Sequence, residues 1–226
     1  MLSILHVVVP NITDWCSQGL SVVTESIWAV SILVIYGCIL LLMKIYGYLK
    51  PCFDKEDFNM LYKAAQQNDL IRVITILNQC PSYVNKFKYP EGYTPFMVAC
   101  ANANTQMVRY MLKMGANVAL RSKADETPFY LTAFYYVQNM NCKNATCIRE
   151  LYYAGAKIDE PGKSNITPLQ MAAAFGHTAL IKWLLLKNAN MKKSCSYAYL
   201  LAKSQGHNEA ANIIRGSMQI KSINCK

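Results

Sequence analysis

The first 43 residues of this chain contain no lysine or arginine, and their only acidic residues are Asp14 and Glu25. The whole chain also lacks a glycine-rich phosphate loop, an HExxH helix, a nucleophile elbow and any acid pair in a repeated frame. Those absences remove the sequence signatures of nucleotide-binding enzymes, zinc proteases and serine hydrolases, and the expectation is that the protein is not an enzyme. Cysteine is plentiful at nine residues, but no two are spaced as CxxC. The chain therefore reads as one with free, mostly buried thiols in a reducing compartment rather than as a disulfide framework. Histidine is scarce: His6 is isolated in the N-terminal arm, and Cys142 and Cys147 with His177 or His207 make a poor ligand set. Neither a metal nor a cofactor is expected.

At 226 residues and 53% apolar content the chain is long enough for one sizeable core plus something extra. Its formal charge is +10, placed unevenly: residues 56–226 hold 20 Lys/Arg against 10 Asp/Glu. Between Glu25 and Lys44 runs SIWAVSILVIYGCILLLM, 18 residues without a charge. As a helix that run is about 27 Å long, close to the hydrocarbon thickness of a bilayer, and extending it back through Val22 and Val23 completes a span over 22–43. Trp28 near one end, and Tyr46 and Tyr48 near the other, stand where interfacial aromatics commonly do.

Lys44, Lys50 and Lys55 follow the run and nothing basic precedes it, so the positive-inside rule puts everything C-terminal to it in the cytosol. Residues 1–21 become a short extracytosolic arm and 44–55 a basic juxtamembrane linker. A cleaved signal peptide would need a basic n-region and an A-x-A-like site, which the apolar stretch from Leu2 to Val9 lacks. On this topology Asn11-Ile12-Thr13 is a usable glycosylation acceptor, whereas the same pattern at Asn144 and Asn165 stays bare. Cys52, just past the span, is a candidate for reversible palmitoylation.

The rest of the chain repeats. Thr94-Pro95, Thr127-Pro128 and Thr167-Pro168 each precede an aliphatic helix pair. Gly115-Ala116 follows Thr94 by 21 residues, and Asn188-Ala189 follows Thr167 by 21. Each threonine can cap a helix whose first residue is the proline, where a missing N–H costs nothing. Met97, Val98 and Ala99 continue the first such helix, Asn102 to Asn104 break it, and Met107, Val108, Met111 and Leu112 form the apolar stripe of a second. Gly115 ends that helix as a left-handed cap. The third unit is seven residues longer, with 28 from Thr127 to Gly155, and the excess lies around FYYVQNMNCKNATC, residues 134–147. A degenerate first unit over 60–85, with Ala64, Ala65, Ile74 and Leu77 in core roles, and a last one over 196–216 read as caps, making about five units.

The segments EGYTPFMVACANANTQMVRYMLKMGANV (91–118) and KSNITPLQMAAAFGHTALIKWLLLKNAN (163–190) resemble ankyrin repeats, and the resemblance covers about 56–216. It implies an all-α, ankyrin-repeat solenoid of helix-turn-helix units with short hairpin loops, here joined to one N-terminal transmembrane helix, with 217–226 as a tail. It also implies a binding face made of hairpin tips and the concave side of the first helices. On this chain the tips are Glu91 and Tyr93, then Lys123 and Glu126, then Lys163 and Ile166. The helix positions are Ala101 and Asn102, Phe134 and Tyr135 at the end of the third unit's first helix, and Ala174 and Phe175. The family's histidine in its TPLH step is replaced by Met97, Tyr130 and Gln170, which removes a polar link between neighbouring hairpins and suggests a looser stack. His177 and His207 fall at the family's Gly-His turn and read as structural. The function expected is a membrane-tethered, single-pass scaffold whose cytosolic repeats bind a protein partner, with no small-molecule substrate. The alternative is binding of anionic lipid or nucleic acid through the basic repeats, with nucleic acid disfavoured by the anchor.

Overall fold

The computed structural model describes residues 34–42, 44, 55–140, 145–162, 165–187 and 191–224, and divides the chain into two units, Met1–Phe53 and Asp54–Lys226. In the first unit residues 34–42 and 44 are helical, and Val34, Ile35, Tyr36, Leu40, Leu41 and Leu42 are all exposed. No helix among the described residues is long and apolar enough to cross a membrane. Residues 22–33 and 43 of the expected span lie outside the described residues, as do Asn11 and Cys52. The transmembrane helix expected over 22–43 is thus not shown.

The second unit is all helical, with ten α-helices in five pairs and no strand among its described residues. They are α1 Lys55–Gln66 and α2 Leu70–Gln79, α3 Pro95–Ala101 and α4 Thr105–Lys113, α5 Pro128–Gln138 and α6 Thr146–Tyr153, α7 Pro168–Ala174 and α8 Thr178–Leu186, and α9 Met191–Ser204 and α10 Asn208–Asn224. A short 3-10 turn, Pro81–Asn85, links the first pair to the second. The first helices pack in file as α1, α3, α5, α7 and α9, while α2, α4 and α6 pack alongside one another, as do α8 and α10. Between α6 and α8 the link is aromatic: the Tyr152 and Trp183 rings meet edge to face at 5.5 Å. This is the helix-pair solenoid that the resemblance implies. α10 runs on to Asn224, through most of the residues set apart above as a tail.

The repeated caps form as the sequence dictates. Thr94, Thr127 and Thr167 each accept, through the side-chain oxygen, the N–H three residues on, at 3.1, 3.2 and 3.3 Å. Gln170 returns the bond to the Thr167 N–H at 2.9 Å, completing a capping box. Asn104 caps α4 through Met107 N–H, and His177 caps α8 by accepting the Leu180 N–H on Nδ1. Gly115 and Gly155 close the second helices of their units in the left-handed region, at φ +84° and +90°.

The core is the apolar seam between pairs. Leu61, Ala65, Val73, Leu77, Met97, Met107, Phe129, Leu151, Leu169 and Ile181 are all fully buried. Leu77 is buried as expected, but Ile74 is only half-buried, and Val73 turns inward from α2 in its place. Cys80, Cys100, Cys147 and Cys195 are buried, and none of them is in a disulfide. Burial pushes the Cys100 thiol well above its usual value, and burial likewise pushes the Cys147 thiol up to about 12. Both remain protonated at neutral pH and act as small apolar fillers around Thr132, whose hydroxyl donates to the Cys100 carbonyl at 3.0 Å.

Candidate partner-binding cleft between the second and third repeats

Neighbouring hairpins are tied together without the family's TPLH histidine. The Lys123 N–H donates to the Gly92 carbonyl at 3.3 Å, and a Cβ at Gly92 would come within 2.5 Å of the Lys123 Cβ, so the two tips touch. Arg121 reaches the next hairpin, donating to the Pro161 carbonyl at 3.2 Å and pairing with Glu160 at 3.2 Å. The Tyr130 ring, in one of the vacated histidine positions, lies under the following turn: a Cβ on Gly162 would stand 2.6 Å from it. Met97, in another, is fully buried, and Gln170 caps α7. Steric and backbone contacts and the Arg121–Glu160 ion pair thus join these hairpins where the polar link is missing.

The second and third hairpins share a tight turn geometry. Ser122 N–H donates to the Glu126 carbonyl and Gly162 N–H to the Ile166 carbonyl, at 2.9 and 3.0 Å, with Asp125 and Asn165 at positive φ just before each closing residue. The Ser122 hydroxyl accepts the Ala124 and Glu126 N–H groups, both at 3.2 Å. Glu126 is thereby fixed at the base of its tip, and its Oε2 accepts the Tyr93 hydroxyl at 2.6 Å across the repeat boundary. Burial first, and then the hydrogen bond to Glu126, pushes the Tyr93 phenol up to about 12, so it stays a donor throughout the physiological range.

Beneath that bond opens a cleft of about 320 Å³, lined by Tyr93, Met97, Val98, Ala101, Glu126, Leu131, Phe134, Tyr135 and Gln138. It joins two hairpins, α3 and α5. Phe134 is exposed and Tyr135 half-buried, its ring edge-to-face with Tyr136 at 5.8 Å. Their place differs from the expectation that they end the third unit's first helix. α5 has 11 residues where α3 and α7 have 7, so most of a further turn follows them. In that turn Tyr136 and Val137 are buried and Gln138 lines the cleft.

Of the twelve residues named for a binding face, five converge here: Tyr93, Ala101, Glu126, Phe134 and Tyr135. Glu91 is an exposed tip residue and Lys123 an exposed tip residue committed through its backbone to Gly92. Asn102 donates its amide to the Ala65 carbonyl at 3.3 Å, closing the C-terminal end of α1. Ile166 is half-buried at its turn, Phe175 is exposed at the C-cap of α7, and neither lines the cleft. Lys163 lies outside the described residues. Sequence reasoning passed over Leu131 and Gln138, although the spacing was visible: Leu131, Phe134, Tyr135 and Gln138 fall at i, i+3, i+4 and i+7, one face of α5.

Two segments match ankyrin-repeat family models: residues 91–120 match a single ankyrin repeat and residues 141–185 match the model for ankyrin repeats in many copies. Neither match indicates a catalytic family. Among curated proteins, "Ankyrin repeat, SAM and basic leucine zipper domain-containing protein 1" of Rhinolophus ferrumequinum is 29% identical over 134 residues, covering 59% of this chain and 27% of that protein. The protein of the same description from Pongo abelii is 29% identical over 138 residues, covering 61% of this chain and 27% of its own. The chain thus spans about a quarter of the length of these relatives. Family models and relatives together support the ankyrin-repeat family for the stacked helix pairs of this chain.

Proposed function

We propose that this chain is an interaction scaffold that grips a protein partner in the cleft between its second and third repeats and is held at a membrane by residues 22–43, the repeats facing the cytosol. The observation that carries the binding reading is the convergence of Tyr93, Phe134 and Tyr135 around one open groove, since aromatic anchors in a pocket dominate interface energetics. Ankyrin repeats are in general protein-binding modules, which is the same class of activity. The tether rests on the 18-residue uncharged run and on the exposed apolar side chains of the helix at 34–42. Confinement to one membrane raises the effective concentration of partners on it.

The alternative of lipid or nucleic acid is less well supported, because many basic residues are engaged individually rather than gathered in a patch. Arg72 pairs with Asp69, Arg109 with Glu150, and Arg121 with Asp125 and Glu160. Lys187 lies over the Tyr152 ring at 4.9 Å, and Lys86 over Phe58 and Tyr83 at 5.0 Å each. Proximity labelling of the full chain against a Phe134→Ala/Tyr135→Ala variant tests the binding reading. Partners lost from the variant support it, and partners retained equally overturn it. Protease added to sealed vesicles tests the tether: digestion of the repeats from the cytosolic side is expected, and their protection sinks the orientation.

A further inference from the structure

We infer that the cleft receives a single cationic side chain, arginine or lysine, from an otherwise uncharged or acidic segment of the partner; this rests on the binding reading above. The groove is lined mainly by aromatic and apolar side chains, with Gln138 among them, and its one formal charge is the Glu126 carboxylate. Among the described residues only Oε2 of that carboxylate is occupied, by the Tyr93 hydroxyl at 2.6 Å and, more distantly, the Ser122 hydroxyl at 3.5 Å. Oε1 has no hydrogen-bond partner among the described residues and remains free to accept.

A carboxylate anchored on one oxygen beside aromatic rings matches the two demands of a guanidinium or ammonium group. Its charge finds a paired acceptor, and its alkyl stem and cationic face find rings to lie against. An apolar anchor would desolvate the carboxylate without supplying a counter-charge, and an acidic one would meet like charge. The same groove argues against a run of basic residues. The chain carries a formal charge of +10, and the exposed Lys123 stands on the same hairpin as Glu126, so each further positive charge on the partner is repelled. The specificity that results is one positive residue, placed by the repeat boundary, in a segment without others.

The test uses the full chain in lipid nanodiscs and a displayed library of 12-residue peptides. Peptides enriched on the protein and lost on the Phe134→Ala/Tyr135→Ala variant are expected to share one arginine or lysine. Replacing that residue by glutamine, or the protein's Glu126 by Gln, is expected to weaken binding at least tenfold. The Glu126→Gln amide keeps a carbonyl oxygen for the Tyr93 hydroxyl, and unchanged circular dichroism and melting temperature confirm that the stack is intact. A Glu126→Lys protein is expected to recover the peptide whose cationic residue has been changed to glutamate. Cleft-dependent peptides with no shared cation, or indifference to Glu126→Gln, overturn the inference and leave the binding reading standing. A library that yields no cleft-dependent peptide overturns both. Free arginine methyl ester binding as tightly as the peptides reassigns the cleft to a small cation and overturns the peptide proposal.

Discussion

The second and third repeats begin alike and end alike, yet only the third has grown. Both open on a Thr-Pro cap, with the threonine side chain accepting the N–H three residues on, and both close on a left-handed glycine. Their first helices differ in length, 7 residues in α3 and 11 in α5. α3 stops where Asn102 turns its amide to the Ala65 carbonyl of the preceding repeat and Ala103 enters positive φ. α5 carries Tyr135 at the position equivalent to Asn102, and the chain stays helical while Tyr136 and Val137 bury themselves. A cap fixes where a helix starts. What packs at the far end decides how long it runs, and here the additional turn also supplies Gln138 to one wall of the cleft.

The largest effect bears on what the two repeats share. Phe96 and Phe129 follow their threonines by two residues and are fully buried, so Phe→Ala at either is expected to cost about 3–5 kcal/mol in denaturant unfolding. Phe129 also stacks on Trp183 at 6.3 Å, and the Phe129→Ala loss should be the greater of the two. A larger loss at Phe96 would mean that the stacking on Trp183 adds nothing measurable at Phe129. Next comes the part the second repeat lacks: Tyr136→Ala is expected to cost about 3 kcal/mol, while exposed Phe134→Ala on the same helix changes the unfolding midpoint little. Equal effects would mean that the added turn is not part of the packed core.

Two glycines sharpen the contrast further. Gly162→Ala drives a methyl into the Tyr130 ring and should cost about 1–3 kcal/mol, most of it recovered when Tyr130 is also replaced by leucine. Gly115→Ala meets open space and carries only the backbone penalty of positive φ, about 1 kcal/mol. The last effect is confined to alkaline pH and is absent at neutral pH. Tyr93 and Cys147 are raised from 10.0 and 9.0 respectively, each to about 12. A raised pKa favours the protonated form in the folded state. Its stabilisation is therefore complete below the unfolded values and fades as pH rises from about 9 toward 12. Urea midpoints measured across that window should fall with pH, and should fall less steeply in Tyr93→Phe and Cys147→Ala.

By itself, the sequence determined the repeat and its frame: Thr-Pro starts, glycine stops and apolar stripes at helical spacing are local signals, each satisfied within a few residues of where it is written. It also placed Tyr93, Glu126, Phe134 and Tyr135 on the face that the resemblance marks for binding. Only the tertiary structure decided that these four share one cleft while Asn102, Ile166 and Phe175 do not line it, because the bond from Tyr93 to Glu126 joins residues 33 apart that come together through stacking. The same holds for the hairpin ties. Nothing local to Tyr130 or Gly162 announces that one shelters under the other, since that fit exists only once two neighbouring repeats have met.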